Sequence, residues 1–429
     1  MATSEVTSIL ILGGNPETAS IVEVARGMGL RTVISNPFPN SPAKVLSDKA
    51  FDVDPKDEDA IDQIICSEDI KGIVMGVSDP LLPTYEKLCS KYKFPCYAQK
   101  KTVEAFSSKA TFARLIKEFG IDSIPQFGVV NSEEQIISKI DFPAVTKPVD
   151  AGAATGVSLC RTQAELEHGI RVALNSSMKK EVVIEKAMFC DDLMAYYTFR
   201  NGKVFLTGLA DRYKSKIRGD LPKVCLMAQY PSKHTHRFLS EVHPKLVQMF
   251  EHLEIRNGVL SIQFFYDEGF FYGYDPGFRL QGEAPHIYVK ALFGADQRKG
   301  LIDFALGKSF LEGEFEENVD VYFKGKFART LWILGRPGVL TEVYGIKKIQ
   351  KQEGILSIQQ RFKEGEEISE DMMGTERQVL MRIHTLASSV NALDELTKFV
   401  SSHLKIQGKD GISLIEDQFT VGTRILSKP

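Results

Sequence analysis

A carboxamide, a carboxylate and a guanidinium lie within one short stretch of the chain. Gln263, Asp275 and Arg279 belong to residues 257–283, NGVLSIQFFYDEGFFYGYDPGFRLQGE. Carboxylate and amide oxygens bind divalent cations, and the guanidinium fork binds phosphoryl or acyl-phosphate oxygens. The three residues predict a site for a cation and a phosphate group. A surface hairpin with solvated polar side chains is the alternative.

Two strands are expected to position these side chains. Residues 259–266 and 270–274 are rich in aromatic and β-branched side chains, and Asp267-Glu268-Gly269 between them has the turn chemistry of an antiparallel hairpin. Side chains alternate between the two faces of a strand. Gln263 and Asp275 can therefore point into one space, with Arg279 just beyond the second strand.

Lys109 is a candidate for binding an anion. Ser107-Ser108 can cap a helix whose apolar residues between 112 and 119 repeat at three- and four-residue spacing. Lys109 lies in the first turn, where the helix dipole disfavours a cation by about 0.3–1 kcal/mol. This placement indicates an anion nearby, and an exposed lysine that tolerates the small cost is the alternative.

Lys147 precedes a loop of small residues, 150–156, with the sequence DAGAATG. Small side chains let backbone amides approach phosphate oxygens, and a nearby lysine adds the compensating charge. We expect a flap over a polyphosphate, formed by Gly152, Ala153, Thr155 and Gly156. The loop is not a P-loop, because no Gly-Lys-Ser/Thr closes it onto a helix. A generic glycine turn is the alternative.

Residues 181–188, EVVIEKAM, read as a strand that runs into a linker. A strand edge offers backbone donors and acceptors at the spacing of a purine edge, and Glu185 could accept from the purine amino group. Asp191 or Asp192 could bind ribose hydroxyls. Two solvated acids in a turn would look the same.

The first hundred residues predict an open parallel α/β layer. Residues 8–12, 31–35 and 72–77 read as strands, and Gly13-Gly14-Asn15 opens a helix after the first. A dinucleotide site would need a third glycine and an acid after the second strand, and both are missing, which disfavours a nicotinamide cofactor. The strand-end residues Gly14, Asn36 and Asp79 are expected near a substrate or are turn formers only.

Composition excludes several classes of partner. The 429 residues have a net charge of −3 and no dominant basic block, so neither a nucleic acid nor an anionic membrane is expected. The only apolar run near the N-terminus falls far short of the ~20 residues of a membrane-spanning helix. Six cysteines without CxxC spacing indicate reduced thiols. We expect a cytoplasmic protein.

Across roughly residues 5–315, these motifs in this order resemble the ATP-grasp superfamily, in particular its carboxylate–amine ligases and its biotin-carboxylase-like and carbamoyl-phosphate-synthase-like members. The resemblance implies an α/β and α+β fold. The domains expected are a Rossmann-like domain (1–105), an ATP-grasp domain (106–315, with a mobile lid at about 125–188) and a small β-rich C-terminal domain (316–429). In this last region the composition predicts a first strand at residues 319–323.

The resemblance also implies roles for individual residues. Lys109 and Lys147 would contact ATP phosphates, Asp192 the ribose, and Arg279 the transferred phosphoryl group. In the cationic segment 212–223, Lys214, Lys216 or Arg218 would meet an anionic acceptor or the γ-phosphate. A solvated loop is the alternative. Glu185, Lys186 and Met188 would contact adenine, and Asp275 and Gln263 would bind the metal. Glu283 is a candidate acid–base group. The weaker candidates are His286 and, in the C-terminal region, Arg329 or Arg336.

Three departures from the superfamily pattern concern the metal. Gln263 stands where an acid is expected, Asp275 is shorter than the usual glutamate, and Gly277 replaces an asparagine. One of two Mg²⁺ ions is therefore expected to be weakened or lost, because each relies on carboxylate charge. Mn²⁺ could serve in place of Mg²⁺.

The function expected is ATP-dependent activation of a small carboxylate as an acyl phosphate, followed by transfer to an amine. The partners would be small molecules and a second copy of the chain in a homodimer. Three alternatives stay open. They are a bicarbonate-activating carboxylating or carbamoylating ligase, a nucleotide-binding protein with weakened turnover, and, more remotely, a Rossmann oxidoreductase.

Overall fold

The computed structural model of the chain describes residues 6–132, 140–149, 156–215, 224–313 and 315–422. Its first part is an α/β layer whose strands β1 and β2 are almost wholly buried. The elements are β1 (Ser8–Leu12), α1 (Pro16–Gly27), β2 (Arg31–Ser35), α2 (Pro42–Leu46), β3 (Lys49–Phe51), α3 (Glu58–Ser67), β4 (Ile70–Met75), α4 (Leu82–Tyr92) and α5 (Lys100–Phe106). The strands are parallel, in the order β3-β2-β1-β4.

The turns after β1 and β4 are tied together at the carboxyl edge of this sheet. Asn15 caps α1 by accepting from the Thr18 amide at 2.8 Å, and its Nδ2 donates to the Val77 carbonyl at 2.7 Å. The predicted parallel layer is confirmed. The third predicted strand begins two residues earlier than expected, at Ile70. Because ligands of open α/β sheets bind at this edge, the two turns are placed to face a substrate.

A second four-stranded sheet follows. The elements in this part of the chain are α6 (Lys109–Glu118), β5 (Asp122–Ser123), β6 (Gln126–Val130), β7 (Ala144–Pro148), β8 (Ser158–Cys160), α7 (Gln163–Ser176) and β9 (Val182–Lys186). The strands β6-β9-β7-β8 are antiparallel, and α7 packs on them through a small core of its own that includes Leu166, Ile170 and Ile184. Ser108 caps α6 through the Thr111 amide, as the sequence predicts.

The predicted hairpin is confirmed in the central sheet. The elements here are β10 (Asp191–Arg200), β11 (Lys203–Lys214), β12 (Cys225–Tyr230), α8 (Thr235–Glu241), α9 (His243–His252), β13 (Gly258–Asp267), β14 (Phe270–Gly277), α10 (His286–Phe293), α11 (Gln297–Ala305) and α12 (Phe315–Asn318). β13 and β14 are antiparallel, and Gln263 lies opposite Asp275. Glu268 and Gly269 make the tight turn with positive φ.

Most of the C-terminal strands continue the central sheet. The elements here are β15 (Phe327–Gly335), β16 (Gly338–Tyr344), α13 (Ile346–Gln350), β17 (Ile355–Gln360), β18 (Glu367–Ile368), β19 (Val379–Ala387), α14 (Val390–His403), β20 (Lys405–Gly408) and β21 (Ile415–Gln418). The strands β18-β16-β20 form a small sheet of their own. The order in the large sheet is β17-β19-β15-β12-β11-β10-β13-β14-β5, with β21 beside β15. β19 thereby joins the central sheet through its pairing with β15.

One predicted C-terminal strand, residues 319–323, is wrong. The chain instead turns after α12, where the Asp320 carboxylate accepts from the backbone amides of Tyr322 at 2.8 Å and Lys324 at 2.9 Å. An aspartate that bonds the backbone two and four residues on favours a turn over a strand. No helix in the described part of the chain is long and apolar enough to cross a membrane, and all six cysteines are free thiols.

Candidate active site

Polar side chains from four adjacent strands lie on one face of the central sheet. Arg212 on β11 pairs with Asp192 on β10, and Gln263 pairs with Asp275 and with the β10 residue two positions beyond Asp192. Residues two apart on a strand share a face, and so do directly paired residues. Lys214, two residues after Arg212, joins the same face. The strand register therefore assembles one polar cluster.

Arg212 connects the members of this cluster. Its Nη1 donates to Gln263 Oε1 at 2.8 Å and lies 3.3 Å from Asp192 Oδ1, and its Nη2 is 2.7 Å from Glu283 Oε1. Burial disfavours the charge, but Glu283 and Asp192 outweigh it, so the pKa of Arg212 lies well above its ordinary value. Lys214 Nζ lies 2.5 Å from Asp192 Oδ2.

A buried tyrosine completes the contacts of Gln263. The Tyr274 hydroxyl is 2.7 Å from Gln263 Oε1 and 3.2 Å from Asp192 Oδ2. Burial, and next the Asp192 charge, raise the pKa of Tyr274, so the hydroxyl keeps its proton and can donate. On its other side, Gln263 Nε2 lies 3.4 Å from Asp275 Oδ2. The carboxamide therefore spans the gap between the Arg212 side of the cluster and Asp275.

The two predicted phosphate-binding lysines each face a carboxylate. Lys109 Nζ lies 3.4 Å from Asp275 Oδ2, and the Lys147 ammonium is bonded to Glu185. Asp275 is the main cause of a raised pKa at Lys109, and the Glu185 carboxylate also contributes. The Glu185 carboxylate, which pairs with Lys147, thus also acts on the charge of Lys109. Lys109 therefore remains charged well into the alkaline range.

Arg279 joins the hairpin to the α/β layer. Its Nη2 lies 2.5 Å from Asp79 Oδ2, at the turn after β4, and its Nη1 donates to the Leu280 carbonyl at 3.0 Å. Gly277 lies against the same carboxylate, because a Cβ at Gly277 would be 3.2 Å from Asp79 Oδ1. Asp79 thus fills the space beside the hairpin end, which gives a physical reason for glycine at position 277.

Glu283 is held by two donors. Besides Arg212, the Tyr196 hydroxyl donates to Glu283 Oε2 at 2.6 Å. Both carboxylate oxygens are thereby engaged, and the side chain is 14% exposed. His384 Nε2, on β19, lies 3.0 Å from the Glu283 carbonyl. These contacts favour a positioning role for Glu283 over the acid–base role expected from the sequence.

A second group of charged side chains, centred on Arg382, contacts the residue that precedes Glu283 in the chain. Arg382 on β19 donates from Nη1 to Glu17 Oε1 at 2.6 Å and to the Gly282 carbonyl at 2.8 Å, and its Nη2 reaches Glu376 at 3.0 Å. Arg361 lies 3.6 Å from the same Glu17 oxygen. Glu17 is in the first turn of α1, so these arginines link the C-terminal strands to the α/β layer.

Several predicted residues lie elsewhere or outside the described ranges. Gly152, Ala153, Thr155, Lys216 and Arg218 are outside those ranges. Gly156 is described and has φ +70°, where a Cβ would lie 2.7 Å from the Ser176 side chain, so close packing on α7 requires glycine there. Lys186 follows Glu185 as the last residue of β9. Met188, two residues further on, is half-buried.

The weaker candidates do not join the cluster. His286 is fully buried, burial lowers its pKa to about 3, and neither ring nitrogen has a hydrogen-bond partner in the described part of the chain. Arg329 is bound by Asp394 at 2.9 Å and by Gln229 at 2.7 Å. Arg336 donates to the Ile415 carbonyl. These three residues support the fold.

Sequence reasoning missed Arg212, Tyr274, Tyr196 and Arg382 as site residues. The composition places Arg212 and Lys214 in a cationic segment, whereas both residues lie in the last part of strand β11. Their alternate spacing, with Tyr213 between them, is the signal of a strand that presents two cations on one face. The other three depend on long-range pairing that a single sequence does not show.

The donor set fits one divalent cation better than two. The described residues contain no cluster of three or more His, Cys, Asp or Glu side chains that could hold a metal. Asp275 turns Oδ2 toward Lys109 and Gln263, and in the described ranges no side chain bonds its Oδ1. One carboxylate oxygen together with nucleotide phosphates is a usual setting for Mg²⁺, which keeps several waters.

Comparisons with known proteins identify the fold. A family model described as D-ala D-ala ligase C-terminus matches residues 116–269. A formate-dependent phosphoribosylglycinamide formyltransferase of Francisella tularensis subsp. tularensis is 24% identical over 202 residues, which cover 45% of this chain and 51% of the relative. The chain thus spans about half the length of the curated relatives it matches.

Solved structures match over nearly the whole chain. An L-amino acid ligase from Bacillus licheniformis has a TM-score of 0.76 at 18% identity, covering 95% of this chain and 100% of its own. The biotin carboxylase domain dimer of Hydrogenobacter thermophilus 2-oxoglutarate carboxylase, in complex with MgADP, ADP and bicarbonate, has a TM-score of 0.73 at 16% identity, covering 93% and 91%. Together with the family model, these neighbours confirm the mixed α/β fold expected from the sequence.

Proposed function

We propose that this chain, which has the ATP-grasp fold, is an ATP-dependent ligase. It activates a small carboxylate as an acyl phosphate, releases ADP, and transfers the acyl group to an amine to form an amide or peptide-like bond. Its relatives and neighbours in fold include enzymes described as ligases, a synthetase and a formyltransferase, and they support the proposal through the shared fold.

One observation carries the proposal. Lys109 begins helix α6 and Lys147 lies on strand β7, yet each ammonium faces a carboxylate, and the Glu185 charge that pairs with Lys147 also acts on Lys109. When a nucleotide binds, both ammonium groups can exchange their carboxylate partners for phosphate oxygens, because a triphosphate carries more negative charge than a single carboxylate. Asp275 and Glu185 hold the lysines in place until the nucleotide arrives.

The remaining residues are assigned by their positions. Glu185, Lys186 and Met188 at the end of β9 would face adenine, and Asp192 on β10 the ribose. Gly152, Ala153, Thr155 and Gly156 stay predicted members of the phosphate flap. Lys214, held to Asp192 by an ion pair of 2.5 Å, would contact an anionic substrate or the γ-phosphate. Glu283, with both oxygens bonded, acts as a positioning residue for Arg212.

Mg²⁺ fits this site through Asp275, and Mn²⁺ could replace it. When bound with ATP, the ion supplies positive charge next to the phosphate oxygens. The sequence predicts Gln263 as a metal ligand. We propose a different role, because its Oε1 already accepts hydrogen bonds from Arg212 and Tyr274. We assign Gln263 to the hydrogen-bond network that orients Asp275.

The chemistry follows from charge and position. A substrate carboxylate oxygen forms a bond to the γ-phosphorus while the bond from that phosphorus to the β,γ-bridging oxygen breaks, and ADP leaves with that electron pair. Lys109, Lys147 and Arg279 neutralise the negative charge that spreads over the γ-phosphoryl oxygens. The amine nitrogen then bonds to the acyl carbon, phosphate leaves, and the nitrogen loses a proton to give the amide.

Arg279 is placed to act between the two substrates. Its ion pair with Asp79 sets the guanidinium between the carboxyl edge of the α/β layer and the hairpin end. The planar fork can bind two oxygens of a phosphoryl or acyl-phosphate group at once. The carboxylate substrate would therefore approach from the turns after β1 and β4, near Asn15 and Asp79.

A panel of carboxylic acids with ATP, Mg²⁺ and hydroxylamine tests the proposal. Hydroxylamine traps an acyl phosphate as a hydroxamate, and the nucleotide product is identified separately. We expect a hydroxamate and ADP with at least one acid. AMP with pyrophosphate would contradict the mechanism. ADP release that requires bicarbonate would instead favour a carboxylating ligase, the reading supported by the bicarbonate-bound neighbour. Binding of ATP without turnover on any acid would favour a nucleotide-binding protein.

We also propose that two copies of the chain associate. The support is the neighbour from Hydrogenobacter thermophilus, which is described as a domain dimer. Sedimentation velocity over a range of protein concentrations tests this point independently of activity. A species of twice the mass of the 47.9 kDa chain is expected, and a single monomeric species at every concentration would contradict it.

A further inference from the structure

Arg212 places a permanent positive charge among the oxygens of the site. Its guanidinium lies 2.8 Å from Gln263 Oε1, 3.3 Å from Asp192 Oδ1 and 2.7 Å from Glu283 Oε1, and the side chain is 7% exposed. An arginine does not lose its proton in a protein. Paired positions on β10 and β11 fix the base of the side chain. The positive charge of Arg212 is therefore held at a fixed position in the site.

The carboxamide of Gln263 is oriented toward that charge. Its Oε1 faces both Nη1 of Arg212 and the Tyr274 hydroxyl, at 2.8 and 2.7 Å, and its Nε2 faces Asp275 Oδ2 at 3.4 Å. The reversed orientation would set an NH₂ group against a guanidinium and an oxygen against a carboxylate. In the observed orientation both lone-pair directions of Oε1 are used. A metal ion that approached Oε1 would also meet the guanidinium charge.

The cluster is electrically balanced by its own side chains. Three cations, Arg212, Lys214 and Lys109, are in contact with three carboxylates, Asp192, Glu283 and Asp275. A carboxylate at position 263 combined with loss of the Arg212 charge would leave two units of negative charge, which a second divalent ion could neutralise. With Arg212 present, its guanidinium occupies the place beside position 263 where such an ion would lie.

We propose that the Arg212 guanidinium takes the place of one divalent cation, so that the chain binds a single Mg²⁺ or Mn²⁺ with each nucleotide. This inference rests on the proposed function and deepens it, because it assigns Arg212 and Gln263 as a matched pair: a built-in cation and a neutral acceptor. Asp275 and the nucleotide phosphates hold the single ion. Arg212 is a positioning residue that orders Asp192 and Gln263, and Glu283 holds Arg212 in place.

Counting bound Mn²⁺ tests this inference without any measurement of activity. Free Mn²⁺ is followed by its electron paramagnetic resonance signal during titration of the full chain with a saturating non-hydrolysable ATP analogue. We expect one tightly bound Mn²⁺ per chain. In Gln263→Glu we still expect one, because the new carboxylate would pair with Arg212. In the double variant Arg212→Met with Gln263→Glu we expect two, because the carboxylate is restored and the competing cation removed.

A control variant, a test of folding and a test of nucleotide binding distinguish the possible negative results. Arg256→Met removes an exposed arginine and should leave the count at one, and circular dichroism reports whether each variant is folded. Two tightly bound ions in the unaltered chain would overturn the inference, even if the double variant fails to fold. A folded double variant that still binds one ion would also overturn it. If calorimetry shows that the analogue does not bind at all, the proposed function fails, and the inference with it.

Discussion

The Lys109 ammonium lies 3.4 Å from Asp275 Oδ2, although one residue begins helix α6 and the other lies on strand β14. The packing of α6 on the hairpin makes this possible. Phe112 and Ile116 on α6 are buried, and a Cβ at Gly273 would lie only 2.9 Å from Ile116 Cδ1. The start of α6 and the end of the hairpin that carries Asp275 are thereby held at a fixed separation.

Arg279→Lys is expected to impair catalysis more than nucleotide binding. Lysine keeps the charge but loses the planar fork that binds two oxygens. Loss of one donor to developing transition-state charge typically lowers kcat by about 10²–10³. We therefore expect a fall of this order in kcat, measured with an acid that proves active in the hydroxamate assay, and a nucleotide Kd within about two-fold of the original.

The control for Arg279 is its ion-pair partner. Asp79→Asn leaves the guanidinium intact and removes only the charge that holds it, so a smaller loss of kcat is expected than in Arg279→Lys. If Arg279→Lys retains full kcat, the guanidinium does not contact the transferred phosphoryl group, and Arg279 serves only to join the hairpin to the α/β layer.

Gly76→Ala is expected to destabilise the carboxyl edge of the α/β layer. An added Cβ would lie 2.4 Å from the Leu12 carbonyl oxygen and 2.5 Å from Thr18 Oγ1, and overpacking of this kind costs about 1–3 kcal/mol. The matched control is Gly27→Ala on α1, where nothing lies within 4 Å, so that the change is neutral or stabilising by about 0.4–1 kcal/mol. Urea unfolding measures both, and equal stabilities would contradict the close approach of β1 and β4.

Two buried histidines make stability fall as the pH is lowered. Burial lowers the pKa of His286 to about 3 and that of His384 to about 4, from an ordinary value of 6.5. Between these values and 6.5, the unfolded chain binds protons that the folded chain does not. Stability therefore rises with pH in this window, by up to about 1.4 kcal/mol per pH unit for each histidine, and the contribution is constant above it.

His286→Phe should flatten this dependence, because the ring has no hydrogen-bond partner in the described part of the chain and its removal takes away one titrating group. Thermal unfolding between pH 4 and 7 provides the measurement. His168→Phe, a change at an exposed position on α7, is the control and should leave the slope unchanged. A variant His286→Phe with the slope of the original chain would show that this histidine is not buried in its neutral form.

Local pattern predicts most of the elements that carry the site. The hairpin, the capped helix that starts at Lys109 and the strand that ends near Glu185 each follow from residue spacing over a few positions, and the structure places them as expected. Their side chains meet because alternation on strands and the helix start fix direction as well as position. Candidate residues in such elements could be chosen from the sequence.

The rest depends on pairing between distant segments. Arg382 lies on β19, which pairs with β15, and β15 in turn pairs with β12 of the central sheet. This chain of pairings brings Arg382 to Glu17 and to the Gly282 carbonyl. Nothing in the sequence near Arg382 indicates this. Likewise, Arg212 joins the site through its register with Asp192. A one-residue shift would have turned its side chain to the other face.

The affinity for ATP in Lys109→Met and Lys147→Met tests most directly whether two distant lysines meet at one triphosphate. Hydrogen bonds to charged groups contribute about 1.5–3 kcal/mol, so each change should weaken ATP binding about 10- to 100-fold. Adenosine binding should stay unchanged in Lys109→Met, because the Lys109 ammonium pairs with Asp275 and not with Glu185, the carboxylate proposed to face adenine. Lys117→Met, an exposed change on α6, should bind ATP normally. Isothermal titration calorimetry that shows unaltered ATP affinity in both lysine variants would contradict the account.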